Sequence, residues 1–414
     1  MLKTAAFALG LLAPLAAPCI AQAQTAPEPG GRDRPPVITD DIKVQMYGWV
    51  QLDGIYDFNR VDPVWVGGFR PSKIPTEEGV YGEDGQANFS ARQTLFGVSG
   101  EGDLNGTPVK VAIEFDLFGS GSNAGETTFH LQRASFEWGP VMAGYNKSLL
   151  MDPDLWPNII DFWGPSGMIY VKTAGVRYTF VNTDTAWLAA GLELPGNDVD
   201  PGLIRVIDPD LGNNLTNTQK YPDFHIAGKY SGDWGHVRLA GVARSVGFET
   251  VGSPGGEPNG DELGWGLDLT SVIKLGESST LRAGYVWGEG IASYFNDGGT
   301  DLAPELDTTN LQVEAQAGQM YGVMAYLEHN WDDKFSTAIG VSRTNLENTN
   351  LQSGDAFHRG DYASVNLLYK VTPELLVGGE VLYGTREDKD GDTGEDTRLQ
   401  LSIRYSYGVT VMGR

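Results

Sequence analysis

Apolar and polar residues alternate with a period of two along most of the chain. The pattern is clearest from Val109 to Phe118, where Val109, Val111, Ile113, Phe115 and Leu117 share one face and Lys110, Ala112, Glu114 and Asp116 the other. Successive side chains of a strand point to opposite sides of its sheet, so one face suits lipid and the other water. The same dyad runs from Val44 to Phe58 and recurs at Ala186 to Leu194, Phe224 to Tyr230, Leu375 to Tyr383 and Leu399 to Tyr407. It predicts sixteen strands, near 43–58, 88–101, 108–118, 127–138, 140–149, 168–180, 184–194, 221–231, 235–248, 262–275, 279–290, 318–330, 334–345, 359–371, 374–387 and 396–407. A seventeenth candidate, Thr309 to Ala315, also alternates. A single-chain bacterial barrel needs an even count. Short connections such as Asp103-Leu104-Asn105-Gly106 and Val371-Thr372-Pro373-Glu374 alternate with long Gly-, Asp- and Asn-rich ones such as 59–87, 195–220 and 289–317. That alternation holds only if 309–315 belongs to the sixth long loop or extends the next strand.

Past residue 23 no apolar stretch reaches the ~18 residues of a spanning helix. The remaining architecture that satisfies every backbone polar group in lipid is a closed barrel. The expected fold is therefore all-β, a transmembrane antiparallel barrel of sixteen strands over 43–407 with seven tight periplasmic turns and eight external loops. A barrel of that size encloses a water-filled lumen. Tyr145, Tyr178, Phe180, Tyr230, Tyr369, Tyr405 and Tyr407 fall near strand ends, where an aromatic girdle belongs.

The first 23 residues read as a secretory leader: Lys3, an apolar run from Ala5 to Ala17, and the small-residue site Ala21-Gln22-Ala23. Pro18 precedes Cys19, where a lipoprotein acceptor wants a small residue, and cleavage before Gln24 leaves a mature chain without cysteine. Residues 24–42 form a Pro-rich tether and 408–414 a short tail. The formal net charge of -25 becomes -26 when Lys3 leaves with the leader. Such acidity argues against nucleic acid as a partner. With 10 Trp, 17 Tyr, 16 Phe and 55 Gly, the composition suits a barrel with acidic outer loops, though secreted soluble β-proteins share it. The leader together with the strand pattern gives the expected location, the outer membrane of a Gram-negative bacterium, among lipid and lipopolysaccharide.

The connection from Asn146 to Gly167, with the motif Gly175-Val176-Arg177-Tyr178-Thr179-Phe180 after it, looks like the third loop and sixth strand of trimeric porins. Together with Phe89-Ser90-Ala91-Arg92-Gln93-Thr94-Leu95-Phe96-Gly97, Gly288 to Tyr294 and Gly379 to Glu387, these segments make the chain resemble the DcaP family of outer-membrane porins. The resemblance implies a homotrimer, a third external loop folded inward as the constriction, and passage of small anionic solutes, notably dicarboxylates and aromatic acids. The chain departs from the family in its short tether, which has no heptads, and in the residues that follow Tyr407.

Strand phase puts Arg92, Arg133, Arg177, Arg238, Arg244, Arg282, Arg398 and Arg404 on the lumen face. A guanidinium stays charged and grips carboxylates in a bidentate fork, and rings of charge at a narrowing set ion preference. Arg92, Arg133 and Arg177 flank the third loop and match motif positions of the resembled family, which makes them the expected anion path. Lumen arginines also brace barrels by pairing with acids, here Asp53, Glu114, Asp116, Glu137 and Glu380. Within the third loop, Asp152, Asp154 and Asp161 either face the arginine wall or cap turns. Its aromatics Trp156, Phe162 and Trp163 dock the loop or stack on solute. No metal or cofactor site is expected, since the five histidines lack paired spacing and Asp388 to Gly394 misplaces the glycine of an EF-hand loop. No G-x-S-x-G elbow or P-loop occurs, so the expected function is passive diffusion without enzymatic chemistry. A general or cation-leaning porin is the alternative, and an enzyme or adhesin on a barrel scaffold the more distant one.

Overall fold

The computed structural model describes residues 40–412; the leader and residues 24–39 of the tether lie outside the described residues. Sixteen antiparallel strands close on themselves: β1 (Asp40–Asp57), β2 (Leu95–Leu104), β3 (Thr107–Phe118), β4 (Thr127–Trp138), β5 (Val141–Lys147), β6 (Lys172–Asn182), β7 (Ala186–Glu193) and β8 (Asp223–Gly232). The circuit continues through β9 (Gly235–Thr250), β10 (Gly260–Leu275), β11 (Ser279–Glu289), β12 (Gln319–Asn330), β13 (Phe335–Leu346), β14 (Phe357–Lys370), β15 (Leu375–Asp388) and β16 (Thr393–Met412). Closure is made by β1 and β16, which stay in register from Lys43 opposite Met412 to Asp57 opposite Arg398. Each strand thus has a partner on both sides and no edge faces lipid. Among the described residues no helix is long and apolar enough to cross a membrane.

The dyad explains the two faces. On β1, Met46, Val50, Leu52 and Tyr56 are exposed on the outside, while Gln51, Asp53 and Asp57 are buried inside. On β16, Leu401, Ile403, Tyr405 and Tyr407 face outward, and Arg398 and Gln400 inward. The alternation continues past Tyr407 through the exposed Val409 and Val411, so residues 408–412 are the end of the last strand and not a free tail. The reason is the partner: β1 starts at Asp40 and offers ladder positions down to Lys43. Of the expected girdle, Tyr178, Phe180, Tyr230, Tyr405 and Tyr407 are exposed on the outer face. Tyr145 instead lines an internal cavity with Phe162 and Lys172.

Tight turns sit where their residues demand. Asn105 and Gly106 both take positive φ, 55° and 82°, as a two-residue hairpin turn between β2 and β3 requires. The Thr309–Ala315 candidate forms no barrel strand. It belongs to the sixth long loop, where Leu302–Asp307 and Gln312–Ala317 pair as a separate hairpin. The predicted strand 88–101 is interrupted: Gln86–Ser90 and β2 both pair with β1, but 91–94 leave the ladder. Side chains fill the gap, with Trp49 Nε1 donating to the Gln93 carbonyl (2.7 Å) and the Gln51 amide to Thr94 Oγ1 (3.2 Å).

Candidate functional site

The third long connection, 148–171, lies inside the barrel, pinned to the inner wall in ascending strand order. At its start Glu193 of β7 accepts from Ser148 Oγ (2.5 Å) and the Leu149 amide (2.6 Å), and Arg238 of β9 donates to the carbonyls of Leu149 and Leu150. Asp152 accepts from His236 of β9 (2.9 Å) and Thr270 of β10 (2.6 Å) while capping the turn at Asp154, whose backbone amide it takes at 3.1 Å. Arg282 of β11 donates to the Asp154 carbonyl, and Glu328 of β12 accepts the Asn158 amide (2.6 Å). Asn366 of β14 donates to the Asn158 carbonyl (2.8 Å). Glu380 of β15 accepts the amides of Ile160 (2.7 Å) and Asp161 (3.1 Å), and Gln400 of β16 donates to the Ile160 carbonyl (3.0 Å). The loop therefore follows the wall from β7 round to β16 and meets the remaining arc, from β1 to β6, at few points, among them Gln93, whose side chain donates to the Ile160 carbonyl (2.9 Å).

The first loop lies over the third. The buried Asp161 carboxylate accepts the Phe69 amide (2.9 Å), the Gly164 amide (2.7 Å) and the Tyr362 hydroxyl (3.1 Å). Phe162 stacks on Phe118 with centroids 3.7 Å apart, Trp163 packs edge-on to Trp65 at 5.0 Å, and Arg70 lies 4.2 Å from both tryptophan rings. Trp156 packs against Tyr170 at 4.8 Å. The loop aromatics are thus docking groups. Asp152 and Asp161 cap turns and hold walls, and of the three aspartates only Asp154 is exposed, 3.4 Å from Lys229. Burial raises the Asp161 carboxyl against the opposing Arg398 charge and its hydrogen bonds. Burial would raise Asp152 too, but His236, Thr270 and the Arg238 charge bring it down to about 2. Asp152, Asp154 and His236 set their ligand atoms within 4.8 Å of one another, an arrangement the turn cap and the His236 hydrogen bond account for.

Between the loop and that arc lies a cavity of about 640 Å³. Trp156, Asn158 and Asp161 line it on the loop side, and Glu114, Arg133, Lys147, Lys172 and Arg404 on the wall side. A second cavity of about 360 Å³ shares Lys147 with the first and runs past Arg177 and Lys229 to the turn at 182–184. The cations differ in what engages them. Arg133 is tied to Glu137 (3.1 Å) and Ser135 (3.0 Å). Arg404 lies over the Trp49 ring (5.6 Å) and Lys172 over Tyr170 (4.6 Å). Among the described residues no carboxylate lies within salt-bridge distance of Lys147, Lys172 or Arg404. Lys147 and Lys172 are also direct cross-strand partners, a like-charge pairing that opposes folding and concentrates positive potential at the loop's base.

The eight arginines divide accordingly. Arg133 and Arg404 line the large cavity and Arg177 the second one, where it donates to the Lys147 carbonyl (3.0 Å). Arg133 reaches the lumen through a bulge: Glu114 faces Arg133 but Phe115 faces Leu131, so Gln132 is an extra residue and both it and Arg133 turn inward. Arg92 is not on a strand at all; it sits in the 91–94 break, buried, 3.8 Å from the Phe118 ring and donating to the Gly119 carbonyl (2.9 Å). Arg238 is buried under the loop, although it touches the second cavity. Arg244 is buried between Asp223 (3.0 Å) and Asp301 (3.5 Å), and Arg398 is fully buried against Asp57 (2.5 Å). Arg282 is clamped by Glu328 (2.8 Å). Arg238, Arg244, Arg282 and Arg398 brace the barrel. Lys147, Lys172 and Lys229 lie outside the set that guanidinium chemistry singles out in the sequence; the position of Lys147 and Lys172 at the two ends of the inserted loop is the signal that marks two of them.

Comparison with known proteins agrees with this geometry. A family model described as DcaP outer membrane protein matches residues 22–407. The crystal structure of the outer membrane channel DcaP of Acinetobacter baumannii superposes with a TM-score of 0.74 at 17% identity, covering 88% of this chain and 97% of that one. The anion-selective porin from Comamonas acidovorans gives 0.57 at 10% identity over 88% and 100%, and OmpT of Vibrio cholerae, in a trimer form, 0.53 at 13% over 88% and 99%. A comparison with curated proteins finds no match.

Proposed function

The chain belongs to the DcaP outer membrane protein family and is an outer-membrane channel, and from that premise we propose that it admits small hydrophilic anions by passive diffusion. The observation that carries this is the cation set on the wall side of the large cavity: Lys147, Lys172 and Arg404 face the loop without carboxylate partners, with Arg133 beside them. An anion in the 640 Å³ space meets the cations on one side and Trp156, Asn158 and Phe162 on the other, with Asp161 buried behind them. Lys147 then hands it to Arg177 and Lys229 in the second cavity. No bond is made or broken.

The solutes best suited are dicarboxylates and aromatic acids. A side cavity of about 180 Å³, lined by Phe118, Phe162, Trp163 and Tyr170 with Lys172 at its edge, supports the aromatic ones, since a ring can lie among rings while its carboxylate meets the ammonium. We further propose export on the 1–23 leader and assembly as a homotrimer, for which the trimeric Vibrio neighbour is the support. The second reading, a cation-leaning porin, draws on Glu114 in the same cavity, the exposed Asp154 and the net charge of -25.

The zero-current potential of the purified protein in a planar bilayer under a KCl gradient separates the readings. The expected sign is that of anion preference, with succinate or phthalate reducing chloride current when added. A potential of the opposite sign would assign the field to the loop acids.

A further inference from the structure

The external loops on the β9–β10 side interlock and leave an apolar surface open. Val199 bridges to Leu302, the Asp200 amide donates to the Leu302 carbonyl (3.0 Å), and the Leu203 amide to the Leu351 carbonyl (2.7 Å). The 302–317 hairpin seats Leu302 and Ala317 against Val246. Between this hairpin and the helical turns Ile204–Ile207 and Pro209–Gly212 runs a groove of about 310 Å³, floored by Ile204, Leu211, Leu215, Phe248 and Leu302. At its lip Ile207 is 72% and Val313 54% exposed. Exposed apolar side chains gathered at one surface are the kind of patch through which proteins bind other molecules.

The rim decides which molecule. Asp200, Asp208 and Glu314 border the groove, and Glu262 lies within electrostatic reach of Glu314. The nearby cations are already engaged, Arg205 by Asp200 (3.2 Å) and Lys220 by Asp261 (2.9 Å). An anionic lipid headgroup or an acidic peptide would meet repulsion here, whereas a cation would not. We propose that this groove is a docking site for a cationic amphipathic peptide segment, whose apolar side chains enter between Ile207 and Val313 while its lysines or arginines meet Asp208 and Glu314. The site is separate from the conducting path, so its test and that of the channel fail independently.

The experiment uses the full chain in phosphatidylcholine nanodiscs, with empty nanodiscs as reference and fluorescence anisotropy as readout. Three labelled helical peptides of equal length serve as probes: one of Lys and Leu, one of Glu and Leu, one of Lys and Ser. Saturable binding of the Lys/Leu peptide is expected, at least about tenfold tighter than either of the others and weakening with salt. Replacing both lip residues, Ile207→Ser with Val313→Ser, should weaken it about tenfold, as loss of buried apolar contact implies. Glu314→Lys should weaken it and flatten the salt dependence. These residues are exposed, and unchanged conductance of the variants in planar bilayers verifies that the barrel is intact. Equal binding of the Lys/Ser peptide would reduce the effect to diffuse charge, and equal binding of the Glu/Leu peptide to a generic apolar sink. Either result, or an affinity indifferent to the lip variants, overturns the proposal.

Discussion

At the scale of the residue, what distinguishes one lumen cation from another is its partner. Arg398 and Asp57 are both fully buried, and removing one leaves the other charge stranded, which costs about 3–5 kcal/mol. Arg398→Ala should therefore lower the temperature at which the barrel unfolds on heating in detergent, as read by electrophoretic migration, and change ion preference little where folded protein survives. Lys147→Glu should do the reverse: nearly normal stability, because a like-charge pair with Lys172 is relieved, and a zero-current potential shifted strongly toward cations. Arg133→Ala is expected to lower anion preference too, because it removes a cation and frees Glu137. Asp152 gives a pH dependence. Its value in the fold, about 2, lies below the ordinary 3.8, so the fold favours the charged form. That contribution, about 2 kcal/mol, is complete above pH 4 and is lost as pH falls toward 2. Asp152→Asn should therefore flatten the loss of thermal stability between pH 4 and pH 2 relative to the parent protein.

At the scale of the element, the inserted loop is held by wall side chains more than by its own structure. Glu380 alone accepts two consecutive loop amides, and Asp161 ties the loop to the first loop and to β14. Glu380→Ala leaves those amides without acceptors, a cost of about 1–3 kcal/mol for each buried group. The expected outcome is a folded barrel with larger and noisier single-channel conductance; conductance identical to the parent's would show that the loop is held elsewhere. The 91–94 break and the bulge at Gln132 show how far strand phase carries for two of the arginines. A period-two argument carries a side chain's direction only while the ladder is unbroken. Arg92 lies in a break that the flanking alternation does not announce. Arg133 lies just past an extra residue, which turns two consecutive side chains inward.

At the scale of the whole molecule, the first and third loops pack against the far wall, and the cavities lie along the arc from β1 to β6 and continue past Lys229 of β8. On the proposed reading, selectivity is set by the cations that line these cavities and not by the net charge of -25 on the chain. Raising ionic strength from 0.1 M to 1 M shortens the Debye length from about 10 Å to about 3 Å. Anion preference should accordingly diminish in concentrated salt, as followed by the zero-current potential at a fixed gradient. A trimer should insert as three equal conductance steps that close one at a time.

The alternation of apolar and polar residues, the turn chemistry and the parity of the connections were enough to specify a sixteen-stranded barrel. These are local signals, and a barrel in lipid leaves them one consistent solution. Even the last strand was legible in Val409 and Val411, had the dyad been followed past Tyr407. The division of the cations was not. Whether a lumen side chain meets solute or is buried depends on which stretch of wall the inserted loop covers. That is set by contacts such as Glu380 with Ile160 or Arg238 with Leu150, between residues 220 and 88 positions apart. Pairings of that range are decided by where the closed barrel brings its walls together, and they leave no periodic trace along the chain.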